Sequence, residues 1–220
     1  MNWQEFIGAF ALFFFTHTVL LRPAIKCRII TRIGPRGFTT FYSGISLILL
    51  GWIIKAANDA PYVGLWDTAP WHYYFTQICM ALAVIISALA IGRPNPLSFG
   101  GSNNHAFDPM EPGIIGIIRH PILASLFIWS FSHLIPNGDL AHLILFGAFS
   151  GFALLGMKII NRRNRRVLGS QEWERLTRKP QKRSIQIASL NFLSRVLLAI
   201  LIYAILFYSH ERIIGVAANL

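Results

Sequence analysis

Arg119-His120-Pro121, Trp129 and His133 set a guanidinium and two imidazoles in a stretch, 113–135, whose other residues are almost all apolar. Ionisable groups at membrane depth cost on the order of a few kcal/mol each, so they are read first as functional candidates. His133 follows Trp129 by four residues and shares its helix face. His17 stands in another apolar stretch, four residues before Leu21-Arg22. Two buried histidines on different helices can hold a haem iron from both faces, and they can equally bond one helix to another. Arg119-His120 precede Pro121, a residue suited to the first turn of a helix. The free N–H groups there and the arginine fork favour a carboxylate or phosphate. An arginine anchoring the helix at lipid headgroups explains the pair equally well. Arg195 is a further cation, in the first turns of the last apolar run, where it snorkels or pairs inward.

The remaining histidines have blander readings. His72 belongs to Trp71-His72-Tyr73-Tyr74, which reads as an aromatic belt at the membrane interface. His105 falls in a loop, and His142 and His210 show no partner. Asp139, after Asn137-Gly138, is expected to close a tight turn and cap the next helix. The sequence has no H-E-x-x-H, no phosphate-binding glycine loop, no G-x-S-x-G and no paired carboxylates suited to hydrolysis. That removes most hydrolase and nucleotide-driven readings. The lack of C-x-x-C-H excludes the usual covalent haem attachment but leaves non-covalent haem open.

Long apolar helices must position these residues. With 54% hydrophobic and 13% charged residues, the 220-residue chain is too apolar for an ordinary soluble domain. The expected fold class is all-α, a polytopic transmembrane helical bundle of about six spans. Their approximate places are residues 4–22, 38–56, 71–92, 113–135, 140–160 and 185–210, in one integral membrane domain covering 1–220. The fourth span begins at Gly113 or at Pro121. Residues 93–112, rich in Pro, Gly, Ser and Asn, form a loop. Gln171-Glu-Trp-Glu-Arg-Leu suggests a short amphipathic helix on the membrane surface.

The net charge of +11 is unevenly placed. Arg22, Lys26, Arg28, Arg32 and Arg36 follow the first apolar run, and ten more basic residues lie between Lys158 and Arg183. Basic loops just outside apolar spans signal topology and anionic headgroups, and no nucleic-acid fingerprint accompanies the charge. Both basic loops then face the cytoplasm. Asp59, Asp67, Asp139 and both termini face outward, in what is expected to be a bacterial inner membrane.

Several motifs together resemble the NnrU family of membrane proteins. They are His17 before Leu21-Arg22, Phe41 with Gly44-Ile-Ser-Leu, Leu65-Trp66, Arg119-His120-Pro121, Trp129, His133, Asn137-Gly138-Asp139, Leu145-Phe-Gly and Asn161-Arg-Arg. The resemblance covers nearly the whole chain. It implies a link to nitrite and nitric-oxide metabolism. The same family includes the zeta-carotene isomerase, which the chain resembles through Glu111, Arg119-His120-Pro121 and Ile128-Trp129. That enzyme is a haem b protein that isomerises a polyene from cis to trans in a redox-dependent way. The resemblance places its axial histidines on His17 and His133, with His120 as the reserve ligand. Arg119, His120 and Arg195 are the expected propionate or second-shell groups. The chain departs from the isomerase at Ser130, where the isomerase has a cysteine. It departs again at Asn58-Asp59 and Phe152-Ala153, which stand where the isomerase has histidines.

The leading expectation is therefore a membrane-embedded haem b protein that acts on a lipophilic polyene or a nitrogen oxide, in contact with membrane lipids and not with nucleic acid. One rival is a membrane S-adenosylmethionine-dependent methyltransferase of the isoprenylcysteine type, which also carries Arg-His-Pro. Here Ile122 replaces the aromatic residue that usually follows that motif, and Glu174-Arg-Leu-Thr-Arg matches only loosely. The other rival is a non-catalytic assembly or sensor subunit.

Overall fold

A computed structural model describes residues 3–178 and 190–218. Among them are six α-helices and no β-strand: α1 (Trp3–Leu20), α2 (Pro23–Asn58), α3 (Pro70–Ala90), α4 (Pro121–Leu134), α5 (Leu140–Thr177) and α6 (Leu190–Ile214). Four of these, α2, α3, α5 and α6, are long and apolar enough to cross a membrane. The chain is an all-α membrane protein. On α6, Leu197, Leu201 and Ile205 are 66%, 57% and 56% exposed. So much open apolar surface needs lipid around it.

The six helices coincide with the six expected spans, of which α1 and α4 are the less apolar and the shorter. At about 1.5 Å per residue, the 14 residues of α4 rise about 21 Å, short of a hydrocarbon core of about 30 Å. α1 has 18 residues, but Gln4, Glu5 and His17 dilute its apolar character. The choice between Gly113 and Pro121 falls to Pro121. Gly113–Gly116 forms only a 3-10 turn, and His120, at φ −117° and ψ 66°, stands outside the helix. Steric pressure from a following proline disfavours helical geometry at such a residue. The expected start of the sixth span at 185 lies outside the described residues, as do Lys179, Lys182 and Arg183.

The basic stretch after α1 is helical, not a loop. α2 begins at Pro23 and breaks at Gly34, which takes φ 73° and ψ 169° ahead of Pro35. Proline pushes the preceding residue out of the helical region, and glycine accepts the positive φ without a Cβ clash. Ile25, Ile29 and Ile33 therefore line one face of a short basic helix. α5 also breaks at a glycine with positive φ, Gly169 at 77°, here with no proline after it. The segment beyond it carries Gln171–Leu176 as the expected amphipathic turn, with Leu176 buried and Glu172 paired to Arg175.

The chain divides into two compact units, Met1–Trp66 with Asp139–Leu145, and Asp67–Gly138 with Phe146–Leu220. In the first, α1 packs on α2. Phe6, Ala9 and Phe13 of α1 and Leu49, Ile53, Ala56 and Ala57 of α2 are buried. Glu5 accepts from Trp52 at 3.3 Å and His17 meets Ser46 at 3.1 Å, so the two helices run antiparallel. Gly44 and Gly51 have nothing within 4 Å of a Cβ position among the described residues.

In the second unit α3 packs against α4 and α6. Hydroxyls join the helices where water is absent. Ser125 donates to Ala83 O at 2.9 Å, Thr76 bonds Ser132 O at 2.9 Å, and Ser130 and Ser150 share a bond of 2.8 Å. Gly156 of α5 makes room for Leu123 of α4, whose methyls would lie 3.4 Å from a Cβ there.

Candidate functional site

His133 sits near the end of α4 with its imidazole fixed by its own helix. Nδ1 donates to Trp129 O, four residues back, at 2.8 Å. A carbonyl only accepts, so the proton is on Nδ1 and a lone pair is left on Nε2. Aromatic rings surround it, with centres at 5.6 Å for Trp129 and 5.4 Å for Phe146. Asn137 closes the helix end by donating to His133 O at 2.6 Å.

His17, in the first unit, repeats the arrangement. Its Nδ1 donates to Phe13 O at 2.8 Å, and its ring stacks on Phe13 with centres 3.9 Å apart. Nε2 lies 3.1 Å from Ser46 Oγ, which is also 2.7 Å from Tyr42 O. One hydroxyl proton serves either acceptor. A turn of the Ser46 hydroxyl towards Tyr42 would free Nε2. A carbonyl that holds the N–H of an imidazole is a common setting of a metal-binding histidine. By this donor chemistry both residues fit a haem iron.

Arg119 and His120 belong to a polar knot at the N-terminal end of α4. His120 is buried, at 5% exposure. Its Nε2 donates to Asn161 Oδ1 at 3.0 Å, and its Nδ1 lies 3.0 Å from the Ser98 hydroxyl, which can donate to it. A neutral ring satisfies both bonds, and burial pushes its pKa down. As arranged, His120 has no free lone pair for a metal. The Arg119 guanidinium lies over the Trp173 ring at 5.3 Å and reaches Asn161 Oδ1 at 3.5 Å. The loop below is tightly built. Asn95, 2% exposed, receives Leu97 N–H on its side-chain oxygen and donates to Arg119 O, and Asn164 donates to Leu97 O.

Arg195 does pair inward. Its NH1 donates to Ala88 O and Ile91 O, both at 2.8 Å, and Nε to Asn191 at 3.0 Å. It therefore satisfies carbonyls left open at the end of α3. His72 is also corrected. It is 7% exposed and accepts Ala69 N–H on Nδ1 at 3.1 Å, so it caps α3 and is not wetted at the interface.

Sequence reasoning missed two partnered histidines. His142 faces Asp139 Oδ2 at 2.6 Å and Asn58 Oδ1 at 2.9 Å, while Asp139 caps α5 as expected by accepting His142 N–H at 3.2 Å. His210 donates to Val216 O at 2.7 Å, and its ring lies beside that of His133. The i+3 spacing from Asp139 was a usable signal for His142, whereas nothing local marked His210. Among the described residues no three His, Cys, Asp or Glu side chains are grouped to hold a metal ion.

In comparisons with known proteins, the family model described as NnrU protein matches residues 5–218, nearly the whole chain. No curated protein and no solved structure matches it.

Proposed function

This chain belongs to the NnrU family, and from that premise we propose that it holds one haem b within the membrane. Its chemistry would be a redox-dependent cis–trans isomerisation of a lipophilic polyene, or a step in nitrite and nitric-oxide metabolism. The observation that carries the haem reading is the set of His133. Its Nδ1 proton is committed to Trp129 O, which leaves the Nε2 lone pair among aromatic rings. His17, the other histidine that the resemblance names, lies in the first unit. A haem supplies an iron that changes oxidation state, and the chain's residues do the rest. His133 would hold the iron through Nε2, Trp129 O fixes the imidazole tautomer, and the Trp129 and Phe146 rings would keep water from it. Arg119 is the cation suited to a propionate. Arg195 is spent on the carbonyls of α3 and serves structure.

Charge placement supports an orientation with the basic helix Pro23–Ile33 and the basic part of α5 on the cytoplasmic side of a bacterial inner membrane, and both termini outside. The substrate would enter sideways from lipid. The test is the absorption spectrum of detergent-purified protein after expression with ample haem, with a pyridine haemochrome assay. A Soret band that is lost or altered in His133→Ala is expected. Protein of good yield with no Soret band would sink the haem reading.

One observation favours a second reading. The Arg119 guanidinium lies over the ring of Trp173, the residue just before the loosely matching Glu174-Arg-Leu-Thr-Arg, at 5.3 Å in the second unit. Retention of S-adenosylmethionine by the purified protein, reduced in Arg119→Ala, would support it.

A further inference from the structure

Two arginines of the second unit, Arg93 and Arg195, meet at the C-terminal end of α3, and neither is in an ion pair among the described residues. Arg195 is fixed by neutral acceptors alone. Its NH1 donates to Ala88 O and Ile91 O at 2.8 Å, and Nε donates to Asn191 Oδ1 at 3.0 Å. A guanidinium has five N–H groups, so the two on its other terminal nitrogen are left over. The positive charge is held in place without being neutralised.

Arg93 is placed by the turn that ends α3. Gly92 takes φ +75°, the Arg93 N–H bonds Ala90 O at 3.1 Å, and Arg93 O accepts Ser102 N–H at 3.0 Å. The Arg195 bond to Ile91 O thus lands two residues before Arg93. The Arg93 side chain makes no hydrogen bond or ring contact among the described residues, and its NH1 lies 3.9 Å from where a Cβ on Gly113 would stand. The charge that bears on Arg195 is this like one. Both arginines are only partly exposed, so water screens their repulsion incompletely. An anion between them would turn that repulsion into two attractions.

The neighbouring surface decides what kind of anion fits. Leu198, Ile202 and Ile205 follow Arg195 by three, seven and ten residues, which puts them on its side of α6, and all three are exposed. Ten residues rise about 15 Å, half of a hydrocarbon core of about 30 Å and so the depth of one leaflet. The pair of charges heads an apolar track one leaflet long. A free phosphate would use the charges and leave the track bare, whereas a phospholipid covers both.

We propose that Arg93 and Arg195 clamp the phosphate of one anionic phospholipid, of the phosphatidylglycerol type, whose acyl chains lie along Leu198, Ile202 and Ile205. Basic pockets between transmembrane helices take such headgroups, and an arginine fork matches two phosphate oxygens. Arg195 keeps its bonds to the α3 carbonyls, which aim it, and Arg93 closes on the phosphate from the turn. A choline headgroup would bring a third positive charge to a place that already holds two, so the anionic lipid is preferred. The site uses neither His133 nor Arg119 and stands apart from the haem reading.

The test uses the full chain, purified in a neutral detergent, with lipid binding read by native mass spectrometry and by the thermal midpoint. The probes are phosphatidylglycerol, phosphatidylcholine with the same acyl chains, and inorganic phosphate. The wild type is expected to take phosphatidylglycerol in preference to phosphatidylcholine and to gain thermal stability from it. The Arg93 side chain makes no bond within the described chain, so Arg93→Gln is expected to fold as wild type. It should weaken phosphatidylglycerol binding about tenfold, the weight of a hydrogen bond to a charged group. Arg166→Gln removes the same charge from an exposed place on α5 and is expected to change binding less than about twofold. Equal losses in the two variants would reduce the effect to general surface charge and overturn the site. A wild type that takes both lipids alike would overturn it as well. If inorganic phosphate raises the midpoint as far as phosphatidylglycerol does, and Arg93→Gln abolishes that rise, the site binds a soluble anion and the lipid assignment fails.

Discussion

His120 and Asn161 meet at 3.0 Å between Nε2 and Oδ1, tying the N-terminal end of α4 to α5, while Ser98 holds the other nitrogen. Removing the ring leaves an amide oxygen and a hydroxyl without their partner, a loss of about 1–3 kcal/mol. His120→Ala is expected to lower the thermal midpoint in detergent and to leave the ligand spectrum of any bound haem unchanged. A changed ligand spectrum would put His120 back at the iron.

The same ring gives a pH dependence. Burial lowers its pKa, the bond to Asn161 opposes this, and the charge of Arg119 adds to the lowering. As pH falls through about 6.5 the unfolded chain takes up the proton before the folded one does. The stability from the neutral ring is whole above that pH and is lost as pH falls towards the lower folded value. The thermal midpoint should drop between pH 7.5 and 5.5, and less steeply in His120→Gln. Parallel slopes in the two proteins would refute this.

Arg195 joins α6 to the end of α3 through two carbonyls at 2.8 Å. Arg195→Ala leaves both acceptors open, and a cost of about 1–3 kcal/mol is expected. Limited proteolysis near 190–195 should speed up. Arg195→Lys should restore little, because a point ammonium does not reproduce a fork held by Asn191 as well.

Gly101 is enclosed by the loop it belongs to. A Cβ there would lie 2.6 Å from Asn104 Oδ1 and 2.8 Å and 2.9 Å from the backbone N and O of Asn95. Gly101→Ala must displace backbone, so protease sensitivity across 93–112 should rise, whereas Gly44→Ala, in open space, should behave as wild type.

Cys27 is exposed on the basic segment of α2. In a Cys79→Ser background, a membrane-impermeant maleimide is expected to label it in inside-out vesicles and not in intact cells. The reverse pattern would invert the proposed orientation.

The sequence alone determined the class of molecule. Apolar runs of span length fix an all-helical membrane protein, because only hydrogen-bonded helices or closed barrels satisfy a backbone in lipid. His133 was legible through Trp129, one helical turn away, and Asp139 through its turn, because both signals are local. The tertiary structure decided the rest. Whether the basic stretch after α1 is a loop or a helix turned on Gly34 accepting a positive φ next to Pro35. Whether His120 is a ligand or a strut turned on Asn161 and Ser98, residues far along the chain on other elements. His210 had no visible partner in the sequence, since its ring bonds Val216 O beyond the end of α6 and its ring neighbour lies on another helix. Periodicity records what a helix buries. Which ring lies beside which depends on how helices distant in sequence pack, and no local pattern carries that.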